Sequence, residues 1–201
     1  MLKIGWASRA ARAEWEGLLS EAKSLSTMPD SPMHGDAHWR AVASSGLDIA
    51  DADAGVNRRL VVAFGLIHDF QRIDDGWDEE HGARAANAIG RLKSLPAMLS
   101  RTEISKLKTA CEDHEKGFVS EDPAIGACWD ADRVNLWRIG VKPDPAFFSV
   151  LRVGRGFEEV SHKARETFRD PPGWQEIFER LRAPRRTLGD AAYDVPGQPI
   201  L

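Results

Sequence analysis

Five of the six histidines, His34, His38, His68, His81 and His114, fall between residues 34 and 114, and His68 is followed directly by Asp69. Imidazole nitrogens and carboxylate oxygens are donors for a divalent cation such as Mn, Mg, Fe, Co or Ni. One helix can aim only one or two side chains at a point. A site here would therefore draw on separate segments: His38 from one, the His68-Asp69 pair from a second and Asp132 from a third. Neighbouring helical residues point about 100° apart, yet near a helix end a short Asp and a longer His can both reach an ion between packed helices. His34 lies one helical turn before His38, and Asp130 stands just before Asp132, so each is a nearby competitor. Gly35 and the preceding proline make His34 a first-turn residue, which favours His38. Read as plain structure, the same residues would be hydrogen-bonded core histidines and ordinary acids.

A cation in such a set lowers the pKa of bound water by many units, giving a nucleophile that attacks phosphorus at neutral pH. If two ions bind, Asp69 can bridge them. A phosphate substrate also needs cationic donors. Arg72, one turn after the His-Asp pair, Arg84, one turn after His81, Lys116 and Arg133 stand beside the candidate ligands, with Arg72 the first choice. Solvated surface or salt bridges to the abundant acids is the competing role for each. Trp39, Trp77, Trp129 and Trp137 also fall close by. They can stack on a base or wall off the site, although core packing is the commoner role for a tryptophan.

The elements that must position these groups read as helices throughout. Ala11, Trp15, Leu18, Leu19 and Ala22 give amphipathic spacing over residues 8–25, followed by a loop that ends at Ser31-Pro32. Serine caps and proline wastes no amide at a first helical position, so a helix is expected from there through His38 to about Ala50. The stretch from Arg58 to about Asp74 is apolar nearly all round before it turns polar, the pattern of a buried central helix with His68 and Asp69 near its end. Shorter helices follow over 81–93, 102–114 and 122–139, the last started by Asp122-Pro123. Beyond Gly140 the chain is Pro-rich, with helices around 156–168 and 173–182. The expected fold is all-α, a bundle of about six to eight helices with the metal site between the central ones.

At 201 residues, 42% hydrophobic and 29% charged, the chain suits one soluble globular domain, here 1–183, with an extended Gly/Pro tail over 184–201. A net charge of −4 offers no basic face for a nucleic-acid polymer, so a small molecule is the natural partner. Cys111 and Cys128 lie in no C-x-x-C pair and are expected to be buried, reduced thiols. The N-terminal residues mix Arg, Glu and Ser without the apolar run of a signal peptide or a membrane helix, so a cytoplasmic protein with no membrane contact is expected.

HWRAVASSGLDIA, VVAFGLIHDFQRI and CWDADRVNLWRIG, in that order and spacing, resemble the His…His-Asp…Asp pattern of the HD-domain superfamily over about residues 30–140. The resemblance implies a helical metal-dependent phosphohydrolase. His38 would be its first metal ligand, His68 and Asp69 its eponymous pair, and Asp132 its closing aspartate. DEEHGARAA and CEDHEKGF resemble the extra histidine positions of HD subfamilies with two metals, which adds His81 and His114 as ligands. Asp69, Arg72, His81 and Lys116 would act on the substrate, a small-molecule phosphate ester or a nucleotide. After Gly117 the chain has Phe118 and Val119 where the HD-GYP branch has Tyr-Pro, and the Glu-Asp pair of HD nucleotidases does not follow His68-Asp69. Some HD proteins with four His and two Asp ligands instead carry a diiron centre and oxidise carbon with O₂. In a third reading, the site is structural or regulatory in a non-catalytic domain.

Overall fold

Asn57 opens the central helix, its side chain accepting hydrogen bonds from the backbone N–H groups of Arg59 and Leu60. The computed structural model describes residues 2–151 and 155–185, and among these no strand occurs. The all-α expectation is borne out. The helices are α1 (Leu2–Leu25), α2 (Asp36–Ala52), α3 (Arg58–Ile67), α4 (His81–Ala88), α5 (Leu95–Met98), α6 (Arg101–Asp113), α7 (Pro123–Arg133), α8 (Arg155–Thr167) and α9 (Trp174–Arg182). The greater part of the expected tail, from residue 186 onward, lies outside the described residues.

α3 is the axis of the bundle, with Leu60 through Ile67 all buried, as its all-round apolar sequence requires. It packs on α2, α6 and α7; α4 lies against α6, and α8 and α9 cover the other side of α2. One apolar cluster runs through these elements from Trp15 to Phe178. No described helix is long and apolar enough to cross a membrane.

Two close crossings set the distances that matter at the site. A Cβ on Gly65 would stand 2.6 Å from the Ala43 backbone nitrogen, so only glycine lets α3 approach α2 this closely. A Cβ on Gly82 would meet the Cys111 carbonyl oxygen at 2.5 Å, so glycine likewise lets the start of α4 press against the end of α6. The first crossing joins the helices that carry His38 and His68. The second joins those that carry His81 and His114.

Several element boundaries differ from the sequence expectation, each for a local reason. The central helix stops at Ile67 rather than Asp74, because the chain tightens into turns in which Phe70 N–H reaches Ile67 O and Arg72 N–H reaches Asp69 O. Ser31 caps a separate turn, accepting from the N–H groups of Met33 and His34, and α2 begins only at Asp36. α4 ends at Ala88 and passes into a 3-10 turn, Ile89–Arg91, that contains the poor helix former Gly90. α7 ends at Arg133, and a 3-10 turn over Leu136–Ile139 replaces the rest of the expected helix. The short α5 has no counterpart in the sequence reading.

Candidate metal centre

The turn after α3 is what aims Asp69 inward. His68 closes the helix and Asp69 begins the turn, so the two side chains converge instead of diverging by a helical step. His38 comes from the first turn of α2, His81 starts α4, His114 closes α6, and Asp132 stands at the end of α7. All six side chains meet in one place.

The distances describe two halves joined by one carboxylate. On one side His38 Nε2 stands 3.1 Å from His68 Nε2, 3.4 Å from Asp69 Oδ2 and 3.2 Å from Asp132 Oδ1. On the other, His81 Nε2 lies 2.9 Å from His114 Nε2, and these two nitrogens lie 3.2 and 3.4 Å from Asp69 Oδ1. Asp69 thus turns one oxygen to each half. Ligand atoms of His38, His68 and Asp132, and of His68, Asp69 and His114, fall within 4.8 Å of one another in two groups that could hold a metal ion.

Protonation follows from the partners on the far side of the rings. A backbone carbonyl can only accept, so Nδ1 of His68, facing Phe64 O at 3.2 Å, must carry its hydrogen there. The same holds for His81 against Asp78 O and for His114 against Cys111 O at 2.7 Å. Each neutral ring then presents a bare Nε2 lone pair to the interior. These lone pairs face one another and two carboxylates, a convergence of acceptors in which only His81 Nε2 has a donor close by, Arg72 Nη1 at 3.2 Å. Asp69 Oδ1 and Asp132 Oδ1 are buried without a hydrogen-bond partner in the protein. Such a set is electrostatically satisfied by positive charge, and a carbonyl holding the far ring nitrogen is the usual support of a histidine that binds metal. The donor chemistry fits a divalent cation.

Burial on its own would raise the carboxyl groups of Asp69 and Asp132. The closeness of the His68, His114 and His38 imidazoles outweighs it at Asp69, and that of His38 together with the Arg138 guanidinium does so at Asp132. Both therefore sit well below the usual carboxylate range and remain charged.

The other candidates divide clearly. Arg72 is buried beside the ligands: Nε donates to Asp74 O, Nη2 to Gly76 O, and Nη1 stands 3.8 Å from Asp69 Oδ1. Lys116 lies at the rim, with its side chain 44% exposed and its ammonium on Asp113. Arg84 is turned away, donating to Gln71 O and Asp78, and so steadies the loop whose carbonyl holds His81. Arg133 is buried over Trp129 and donates to Phe147 O. Of the competing ligands, His34 pairs with Asp75 at 2.9 Å, and burial holds its imidazole down to about 4. Asp130 accepts from the N–H groups of Ser149, Val150 and Leu151 and pins that loop. His38 and Asp132, rather than His34 and Asp130, are among the side chains that converge.

A cleft of about 790 Å³ opens onto Asp69, His81, His114 and Asp132 and is walled by Trp77 and Phe147. Trp77 is 86% exposed, so for this residue the core role is corrected: its indole stands at the cleft mouth. Trp39 and Trp129 are core residues, and Trp137 donates to Ser161 away from the ligands. Cys111 and Cys128 are free and buried, as expected. The sequence reading missed Arg138, whose Nη1 is 3.8 Å from Asp132 Oδ1, and Glu115, whose Oε2 is 3.1 Å from His81 Nδ1. Glu115 follows His114 directly and could have been suspected from that adjacency. Arg138 reaches back from a 3-10 turn that helical spacing did not foresee. No family model, curated protein or solved structure matches the chain.

Proposed function

We propose that this protein is a metal-dependent phosphohydrolase of the HD type that cleaves a phosphate ester of a small molecule or nucleotide. The observation that carries the proposal is the inward convergence of four imidazole Nε2 atoms on two charged carboxylates, with Asp69 dividing its oxygens between the halves. His38, His68 and Asp132 would hold one cation, His81 and His114 a second, and Asp69 both. Bound there, the cations would supply Lewis-acid polarisation of a phosphoryl oxygen and an activated water.

The chain's own groups supply orientation and charge. Phe64 O, Asp78 O and Cys111 O lock three rings in the tautomer that ligation needs. Arg72, clamped by Asp74 O and Gly76 O, holds Nη1 3.2 Å from His81 Nε2 and 3.8 Å from Asp69 Oδ1, where its charge would meet an incoming phosphate. The Trp77 and Phe147 walls give an apolar or aromatic part of the ester a surface to lie on.

A second reading, a diiron oxygenase acting on a small organic substrate, is favoured by one feature. Four imidazoles form a nitrogen-rich set suited to Fe as well as to Mn, Co or Ni. The test is a screen of phosphomonoesters and nucleotides with Mn²⁺, Co²⁺, Ni²⁺ and Fe²⁺, run in air and without oxygen. A phosphohydrolase releases phosphate equally in both atmospheres. Turnover only in air with iron would replace it by the oxygenase, and metal binding without turnover in either would leave a non-catalytic domain.

A further inference from the structure

The polar and the apolar groups of the cleft wall are in opposite states. Glu79 accepts from the Trp77 indole N–H, Asp144 accepts from the Ala146 N–H, Arg133 donates to Phe147 O, and Arg138 donates to Met33 O and Asn135 O. Each of these polar groups already has a partner within the chain. The large apolar side chains are uncovered instead. Eight are exposed among the described residues, and four of them, Trp77, Ile139, Val141 and Phe147, line this cleft. Two more, Phe118 and Val119, directly follow Gly117 at its edge. Exposed apolar side chains scattered singly need no explanation, but gathered on one concavity beside a ligand cluster they are a binding surface.

Charge narrows what binds there. Carboxylates outnumber basic side chains in the lining, seven to five. With the two proposed divalent cations the cleft would carry about two positive charges, the complement of a single phosphomonoester dianion. Among the five bases only Lys142 lacks a partner in the chain, whereas a di- or triphosphate needs several free cations.

We infer that the substrate is a phosphomonoester of an uncharged, apolar alcohol, rather than a nucleoside polyphosphate or a sugar phosphate. Its phosphoryl group sits at the ligand cluster, and its body lies on the surface formed by Trp77, Ile139, Val141 and Phe147. Hydrolysis breaks the bond between phosphorus and the alcohol oxygen, water supplying the fourth oxygen of inorganic phosphate and the proton of the released alcohol. The inference rests on the proposed phosphohydrolase reading.

The test measures phosphate release by the Mn²⁺-loaded full chain from 1-naphthyl phosphate, hexyl phosphate, glycerol phosphate, AMP and ATP. Calorimetry reads binding of benzylphosphonate and methylphosphonate, whose carbon–phosphorus bond water does not cleave. The expected kcat/KM for the naphthyl and hexyl esters is about 10–100-fold above that for the other three, and benzylphosphonate should bind tighter than methylphosphonate by a similar factor, the gain from burying one large apolar group. Trp77→Ala and Ile139→Asn, both at exposed positions where folding is little affected, should each shrink these preferences by about three- to tenfold. A parent that works as well on glycerol phosphate, AMP or ATP as on the apolar esters, or preferences unmoved in both variants, overturns the inference while the phosphohydrolase reading stands. A parent dimer that dissociates in Trp77→Ala, read by sedimentation, would assign the apolar surface to a second copy of the chain and overturn it too. Phosphate release from none of the esters overturns both.

Discussion

Two polar clusters share helix α2, and they are wired oppositely. At its C-terminal end Asp48 and Asp51 face cations: Arg180 Nη2 reaches them at 2.5 and 2.8 Å, Lys163 reaches Asp48 at 2.5 Å, and Arg58 lies 3.7 Å from Asp51. At its N-terminal end His38 looks onto two carboxylates and three further imidazoles, and the nearest guanidinium nitrogens stand 3.8 Å from those carboxylates. The first cluster answers its acids with cations from within the chain, although Asp51 Oδ1 keeps no hydrogen bond, and it ties α8 and α9 to the bundle. The second concentrates acceptors and leaves their charge to be answered from outside the chain. Burial and acidity are common to both, so close ion pairing with cations of the chain separates a structural cluster from a candidate ligand site.

The largest effect that can break this contrast lies at Asp69. Replacing Asp69 by Asn should remove the shared ligand, lower phosphate release by about 10³-fold or more and strip bound metal, while the circular dichroism spectrum stays helical. Retained metal would show that the two halves do not depend on a common carboxylate. Next is the knot: Arg180→Ala leaves two partly buried acids short of a cation and should cost about 3 kcal/mol, read as a fall in Tm with metal content unchanged. Loss of metal in that variant would join the two clusters into one system.

A comparable effect of opposite sign is expected on loading. Mn²⁺ at a hundred times its Kd should stabilise the metal-free protein by about 2.7 kcal/mol, or roughly 5–10 °C in Tm for a chain of this size. The Asp69→Asn variant should show little of that gain. The smallest effect belongs to Lys116, exposed and already paired with Asp113. Lys116→Ala should change kcat/KM by less than about threefold, as for an exposed ion pair, whereas Arg72→Ala should cost about 10²-fold as a buried charge at the site. Equal losses would return Lys116 to the machinery.

The fold was legible where periodicity was strong. α3 reads as buried because every residue from Leu60 to Ile67 is apolar or small, and it is buried. The cluster of candidate ligands was legible because histidine and aspartate at helix ends are few and their chemistry is narrow. Boundaries were less so, since the turns after Ile67 and Arg133 arise from three-residue hydrogen bonds that composition does not announce. Those same turns decide the finer site: one turns Asp69 inward, and the other brings Arg138 beside Asp132. Trp77 was misread for a related reason, as its exposure depends on a loop held by Arg72 and Asp78 rather than on any helical face.

The most direct test is metal content by elemental analysis of protein purified without chelator, alongside Asp69→Ala and His68→Ala. Two bound cations shared through Asp69 should give close to two equivalents of transition metal per chain in the parent and well under one in Asp69→Ala, with His68→Ala between. A parent protein that carries no metal, and takes up none when titrated with Mn²⁺, Fe²⁺ or Co²⁺, would contradict the proposed centre outright.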